Sequence, residues 1–216
     1  KYRIETLAAA TIPGALKVIK DAFFTDETVC IGTEVNKNPA AGEELLELSS
    51  SNPDERTFFD EFVEERCKQP SSKALINFMS DVDNRCNFFE RLGVDCSLEL
   101  MFLATLREHR QKKLGYLLCK YSLDVGRRLT TGPVSHITLE DLGPKYSHMK
   151  PREVTTKIPK ICQAIGTSIA TQKIGAALNF TVYLRVSFTE YEYDGKNYVE
   201  RNGFDPYCEG IAQPLD

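Results

Sequence analysis

A mixed α/β fold, of the α+β kind, is what the 216-residue sequence predicts. Three observations carry that prediction. Apolar residues recur at helical spacing in several stretches, most clearly at Leu75, Met79, Val82, Cys86 and Phe89. The run CSLELMFLAT (96–105) is largely apolar, like a strand buried on both faces, and FTVYLRVSFTEYEY (180–193) alternates with period two. Between them the chain reads strand, basic loop, helix, strand, helix, hairpin. The length suits one domain over 1–216 and is enough to bury a real core.

In chain order, YRIETL (2–7) reads as a short alternating strand. TIPGALKVIKDAFF (11–24) reads as a helix with Pro13 in its first turn and Leu16, Ile19 and Phe23 on one face. NPAAGEELLEL (38–48) predicts a second helix, ended by serines at 49–51. NPDERTFFDEFVEERC (52–67) has a capping start, first-turn acids, and Phe58, Phe59, Phe62 and Val63 on a stripe. In SSKALINFMSDVDNRCNFFERLG (71–93), Gly93 stands where a helix-terminating residue belongs. The helix from about Leu114 to Arg128 carries the stripe Leu114, Leu117 or Leu118, Tyr121 and Val125. Residues 132–159 resist assignment. KICQAIG (160–166) reads as a buried strand and TSIATQKIGAAL (167–178) as the helix behind it. In the alternating strand, Val182, Leu184, Val186 and Phe188 share a face. Asp194-Gly195 is a hairpin signal leading into KNYVE.

Composition narrows the function. The net charge is -4, the wrong sign for a general nucleic-acid binder, so no nucleic-acid partner is expected. The seven cysteines are scattered, without C-x-x-C, and the three histidines show no zinc spacing, so no metal site is expected. Reduced thiols point to a cytoplasmic protein. No apolar run reaches transmembrane length and no signal-peptide pattern opens the chain, so no membrane is expected either.

Against this acidic background, LREHRQKKLGYLL (106–118) gathers Arg107, His109, Arg110, Lys112 and Lys113 at a helix start. A helix N-terminus is already partly positive, so cations destabilise it unless an anion is held there. A multivalent anion such as a pyrophosphate and a solvated basic patch are equally compatible with charge alone. Neither G-x-x-x-x-G-K-[ST] nor G-x-G-x-x-G occurs, which disfavours ATP, GTP and NAD sites.

LMFLATLREHRQKKLGYLL resembles the central motif of the acetyl-CoA-dependent N-acetyltransferases (GNAT), a strand followed by R/Q-x-x-G-x-G/A. Arg110, Lys113 and Gly115 match it, with lysine where the motif has glycine. FFTDETV (23–29) resembles the FF-x-DEP signature of insect arylalkylamine N-acetyltransferases. DVDNRCNFFERLGVD (81–95) resembles the helix before their central strand, and GTSIATQKIGAALNF (166–180) their serine-bearing segment. The resemblance implies a GNAT-like mixed central sheet flanked by helices, with a splayed strand pair holding acetyl-CoA, and a monomer. It implies that Leu103, Ala104, Thr105, Arg110, Gln111, Lys112, Lys113, Leu114, Gly115, Tyr116 and Ser168 bind the coenzyme. It also implies that Glu27 is the general base, acting through ordered water, and that Thr167 and Thr171 stand for two serines of catalytic or positioning role. Thr28 departs from the family's proline and Asn179 from its glycine, and the family's strand pair near 48–52 is not recognisable.

The chemistry fits these residue types. An amine attacks a thioester only when neutral, and a nearby carboxylate can take its proton. A backbone N–H around 103–105 can donate to the oxyanion, and Thr171 or Ser168 to the departing sulfur. Thr167 and Thr171 are four apart and would share a helix face. The bland readings are a surface acid for Glu27 and a helix cap for Thr167. His109, His136 and His148 read as non-catalytic, and Cys162 as a small buried residue. The expected function is acetyl transfer from acetyl-CoA to an arylalkylamine. The alternatives are a polyamine or small alkylamine, or an acyl-CoA-binding module with weak or lost catalysis.

Overall fold

A computed structural model describes residues 2–5, 7–49, 62–131, 138–144, 147 and 157–216. The helix expected over 52–67 and the residues His136 and His148 lie largely or wholly outside the described residues.

Helix α1 (Ile12–Val18) has a proline in its first turn and runs on through a π-helical turn (Ile19–Phe23) into α2 (Phe24–Asp26). Glu27 is extended, and α3 (Thr28–Gly32) starts behind it. Helix α4 (Pro39–Ser49) follows. Helix α5 (Pro70–Cys86) begins on Pro70, whose fixed φ suits that position. Asn87 is left-handed (φ 42°) and divides α5 from α6 (Phe88–Leu92), which Gly93 closes at φ 63°. That break corrects the expected stripe: Phe88 is buried and Phe89 is 47% exposed.

Strand β1 (Ser97–Glu99) pairs in parallel with β2 (Ile161–Gly166), in register Ser97 with Ile161 to Glu99 with Gln163. One further bond, from Leu100 N–H to the Gln163 carbonyl, ends their ladder. Phe102 then turns left-handed (φ 53°) and the chain leaves β2. The strand expected over 96–105 is therefore cut short, and its remainder forms one arm of a splay. Helix α7 (Leu114–Leu129) occupies its expected place, but buries Cys119, Leu123 and Gly126 while Leu117, Leu118 and Tyr121 are exposed. The reason is close approach: a Cβ on Gly126 would lie 2.9 Å from Leu98 and 3.0 Å from Leu215. A four-residue helix, α8 (Leu139–Leu142), is capped by Thr138.

Helix α9 (Ile169–Ala177) follows β2. Strand β3 (Thr181–Ser187) bulges between Val182 and Leu184, which breaks the expected alternation and leaves Val182 exposed. The Asp194-Gly195 turn joins β4 (Glu192–Tyr193) to β5 (Lys196–Asn197), both turn residues having positive φ. The expected second hairpin strand stops there, because Asn197 caps α10 (Tyr198–Asn202) in a capping box with Glu200. Residues 2–5 form no strand, against expectation.

The main surprise is β6 (Tyr207–Pro214), which sits in the middle of the sheet order β1-β2-β6-β3 and is antiparallel to both neighbours. Adjacent residues point to opposite faces. Ile161 and Ala212 pack with Phe78, Val82 and Phe88 on the α5 side. Cys162 and Ile211 pack with Cys119, Leu123 and Leu178 on the α7 and α9 side. The sheet thus lies between helical layers, and the splay opens beyond the last β1–β2 rung.

Candidate active site

The segment joining α2 to α3 crosses in front of the end of β2. Glu27 caps α3: its Oε2 accepts the Cys30 N–H at 2.8 Å. Its Oε1 accepts the Thr167 hydroxyl at 2.6 Å. Thr167 directly follows β2 and is 8% exposed. Two segments 140 residues apart in sequence are joined here by one charge-assisted hydrogen bond. Burial, reinforced by the Glu27 charge, pushes the Cys30 thiol well above its usual range and keeps it protonated.

Asp26 faces the opposite arm. It takes two bonds from Arg107 (Nε 3.0 Å, Nη2 2.5 Å) and one from Arg110 (Nη2 2.5 Å). Hydrogen bonding from Arg107, with Arg110 beside it, holds the Asp26 carboxyl below the usual carboxylate range. Arg110 Nε also donates to the Thr105 carbonyl at 3.0 Å, tying the end of the splayed arm to the loop. Part of the cation crowding before α7 is thus balanced within the chain. Arg107 belongs to the basic cluster read at 107–113, but Asp26 carried no reading of its own, and nothing in the sequence pairs the two.

The loop then presents α7. Gln111 and Lys113 are both left-handed at φ 59°. Lys113 keeps the backbone that glycine would favour at this position, and no side chain caps the helix behind it among the described residues. Lys112 Nζ donates to the Glu108 carbonyl at 2.7 Å. His109 Nδ1 lies 3.2 Å from the Tyr2 hydroxyl. Gly115 packs α7 tightly: a Cβ there would stand 3.2 Å from Ile174 and 3.7 Å from Leu103. Leu103 and Tyr116, with Ile174, pack against the core cluster that includes Cys119, Leu123 and Leu178. Ala104, Thr105 and Leu114 are half-buried, and Gln111 is exposed. An uncapped helix start, a left-handed loop before it and lysines around it fit the pyrophosphate of a coenzyme A.

Helix α9 corrects one expectation. Its N-cap is Ser168, and Thr167 lies before the helix, so Thr167 and Thr171 do not share a helix face. Ser168 and Thr171 form a capping box, Ser168 Oγ accepting the Thr171 N–H at 3.2 Å and Thr171 Oγ1 accepting the Ser168 N–H at 3.1 Å. Thr171 also donates to the Ser168 carbonyl at 2.9 Å. Both hydroxyls are therefore engaged locally, whereas Thr167 reaches Glu27. Gln172 Nε2 bridges the carbonyls of Gly166 (3.2 Å) and Tyr207 (2.9 Å), fixing the ends of β2 and β6 together; its sequence context carries no signal for this.

Phe23 and Phe102 meet edge to face, ring centroids 5.4 Å apart, with Phe23 four residues before Glu27 and Phe102 at the bend of the splay. Cys162 is fully buried, and desolvation pushes its thiol up to about 12, as suits a core residue. The site therefore comprises an acidic segment (26–27), two diverging arms (101–106 and 161–167), a basic helix start and an aromatic pair.

No protein-family model matches the chain, and no curated protein matches it. Solved structures do. The chain is similar to arylalkylamine N-acetyltransferase 2 from Aedes aegypti, with 14% identity, 99% of each chain covered and a TM-score of 0.69. An agmatine N-acetyltransferase, solved as a point mutant in the apo form, has 12% identity, 96% of each chain covered and a TM-score of 0.68. A Drosophila melanogaster polyamine N-acetyltransferase that catalyses formation of N-acetylagmatine has 11% identity over 97% of this chain and 98% of that one, with a TM-score of 0.65. These proteins have the GNAT fold, and so does this chain.

Proposed function

We propose that the protein transfers an acetyl group from acetyl-CoA to a primary amine, with an arylalkylamine as acceptor. The observation that carries this is the Glu27 carboxylate, held by Thr167 at 2.6 Å beside the end of β2, with the basic helix start across the splay. Acetyl-CoA would lie in the splay, its pyrophosphate on the N–H groups of Leu114, Gly115 and Tyr116 and the charges of Lys112 and Lys113. Arg110 joins it by exchanging Asp26 for phosphate.

Glu27 attracts the ammonium and takes its proton, through a water where the two do not touch. The free amine attacks the thioester carbon. A C–N bond forms, and the carbonyl electrons move to an oxyanion that a backbone N–H in 103–105 receives. Collapse breaks the C–S bond, and the second proton leaves the nitrogen and passes through water to the departing coenzyme A thiolate, which becomes the free thiol. Ser168 or Thr171 hydrogen-bonds that sulfur by rotating out of the capping box, which costs about 1 kcal/mol.

The Phe23–Phe102 pair favours an aromatic acceptor, because it puts two aromatic rings together at the bend of the splay, one of them four residues before Glu27. A polyamine needs further free acids, and Asp26 stays bound by Arg107 when Arg110 turns to the phosphate. Free thiols at all seven cysteines support a cytoplasmic location. Calorimetric titration with acetyl-CoA, then kcat/KM for dopamine against spermidine, tests the reading. No coenzyme binding removes it. A preference for spermidine of about a thousandfold, or roughly 4 kcal/mol, removes the aromatic acceptor. Coenzyme binding without turnover of any amine, and with Glu27→Ala silent, leaves an acyl-CoA-binding module.

A further inference from the structure

One buried carboxylate takes no part in that chemistry. Asp205 is 1% exposed. Its Oδ2 accepts the Thr28 hydroxyl at 2.6 Å, and its Oδ1 accepts the Ile169 N–H at 2.8 Å. Thr28 follows Glu27 and opens α3; Ile169 is two residues past Thr167 and opens α9. Each oxygen thus holds a different helix start, and each of those starts lies beside one member of the Glu27–Thr167 pair. The turn that delivers Asp205 is itself tied down. Asn202 Oδ1 accepts the Asp205 N–H at 2.9 Å, and Asn202 Nδ2 donates to the Asp205 carbonyl at 3.0 Å. Gly203 supplies the positive φ (75°) that the turn requires.

Burying a carboxylate is expensive unless its lone pairs are engaged. Here they are engaged by donors that only this arrangement brings together, at the positive ends of two helices. The other neighbour of Glu27 is Asp26, which the two arginines hold. Glu27 is therefore anchored on both sides along the chain, to the basic loop through Asp26 and to the α9 start through Thr28 and Asp205.

We propose that Asp205 is a positioning residue of the site: by clasping Thr28 and Ile169 together it holds Glu27 and Thr167 at hydrogen-bonding distance. The catalytic part of this inference rests on the acetyl-transfer reading; the positional part does not. The clasp needs two bonds of suitable geometry and does not need the charge. In Asp205→Asn the amide oxygen still accepts from Ile169, and the amide nitrogen donates to the Thr28 oxygen once that hydroxyl turns. Asp205→Ala removes both bonds, and Thr28→Val removes one.

Two measurements on the full chain test this. The first is kcat under saturating amine and acetyl-CoA, with the Kd for acetyl-CoA alongside. Asp205→Ala lowers kcat by about tenfold or more while the Kd stays within about threefold, and Asp205→Asn returns kcat to within about threefold of the parent. The second is hydrogen exchange at the Cys30 amide, whose acceptor is Glu27. It speeds up by about tenfold in Asp205→Ala and stays near the parent rate in Asp205→Asn. Should Asp205→Ala not fold, Asp205→Asn and Thr28→Val decide the matter, the latter falling between parent and loss. Equal impairment in the Asn and Ala variants, or an unchanged Cys30 amide in Asp205→Ala, overturns the proposal. If the parent acetylates no amine, the acetyl-transfer reading fails by itself, and the Cys30 amide still reports whether Asp205 places Glu27.

Discussion

Thr167→Val probes the Glu27 contact directly. Valine matches threonine in shape, so the perturbation is the loss of one hydroxyl at a site 8% exposed. The lost bond is short (2.6 Å) and its acceptor is a carboxylate. Hydrogen bonds to charged groups are worth about 1.5–3 kcal/mol. If all of that is felt in the transition state, kcat falls about 10- to 150-fold. Glu27 Oε2 remains on the Cys30 N–H at 2.8 Å, so the carboxylate keeps one anchor and the expected loss is in the lower half of that range. Because the bond also joins two distant segments, the melting temperature falls by about 2–4 °C per kcal/mol of lost stability in a chain of this size. The assay is steady-state acetylation under saturating acetyl-CoA and amine, with thermal unfolding alongside. Thr167→Ser retains the hydroxyl and stays within about threefold of the parent. A valine variant with parental kcat, or a serine variant as slow as the valine one, refutes the claim that this bond places the base.

Three further outcomes follow from the geometry. Lys113→Gly keeps the left-handed helix start and removes a charge. Stability holds or rises by up to about 1 kcal/mol by urea unfolding, whereas acetyl-CoA affinity falls; an unchanged affinity means that Lys113 points away from the phosphates. Gly210→Ala places a Cβ 2.2 Å from the Cys86 sulfur and 3.4 Å from the Leu184 Cβ, and loses about 1–3 kcal/mol. Adding Cys86→Ala recovers part of that loss, and strict additivity of the two would disprove the clash. The Asp26 carboxyl, held low first by Arg107 and then by Arg110, contributes stability that is present above the unfolded carboxylate range and is lost as pH falls below about 4. Asp26→Asn flattens that acid limb. Its effect at neutral pH is about 1 kcal/mol or less, since both arginines are exposed to solvent; an unaltered acid limb counts against the pairing.

Much of the fold was readable in local pattern. Helical spacing located α1, α4, α5, α7 and α9, and period-two alternation with Asp-Gly located β3 and the β4–β5 turn. Strand β6 was not readable. YCEGIAQP shows no apolar alternation, because a central strand in this sheet is packed from both sides by small residues. It also carries polar ones with distant partners: Glu209 with Arg185, and Gln213 with the Leu178 carbonyl. The buried face of α7 was misread for a related reason. Leu117, Leu118 and Tyr121 outrank Cys119 and Gly126 in hydrophobicity, but Gly126 admits the closest approach of Leu98 and Leu215. In the site, the individual residues Glu27 and Thr167 were legible through motif resemblance, while their contact was not.

The sequence by itself determined the class of most main elements and the basic helix start at 107–113, and motif resemblance picked out Glu27. These depend on residues near one another along the chain, where spacing and capping chemistry operate. Tertiary structure alone decided that Arg107 and Arg110 meet Asp26, that Thr167 meets Glu27, and that Asp205 stands behind both sides of the site. The physical reason is that such contacts join groups from 36 to 177 residues apart through burial and charge. No local periodicity encodes which buried carboxylate will find which donor. That choice depends on the last strand standing in the interior of the sheet, with its neighbouring turn set against α3 and α9.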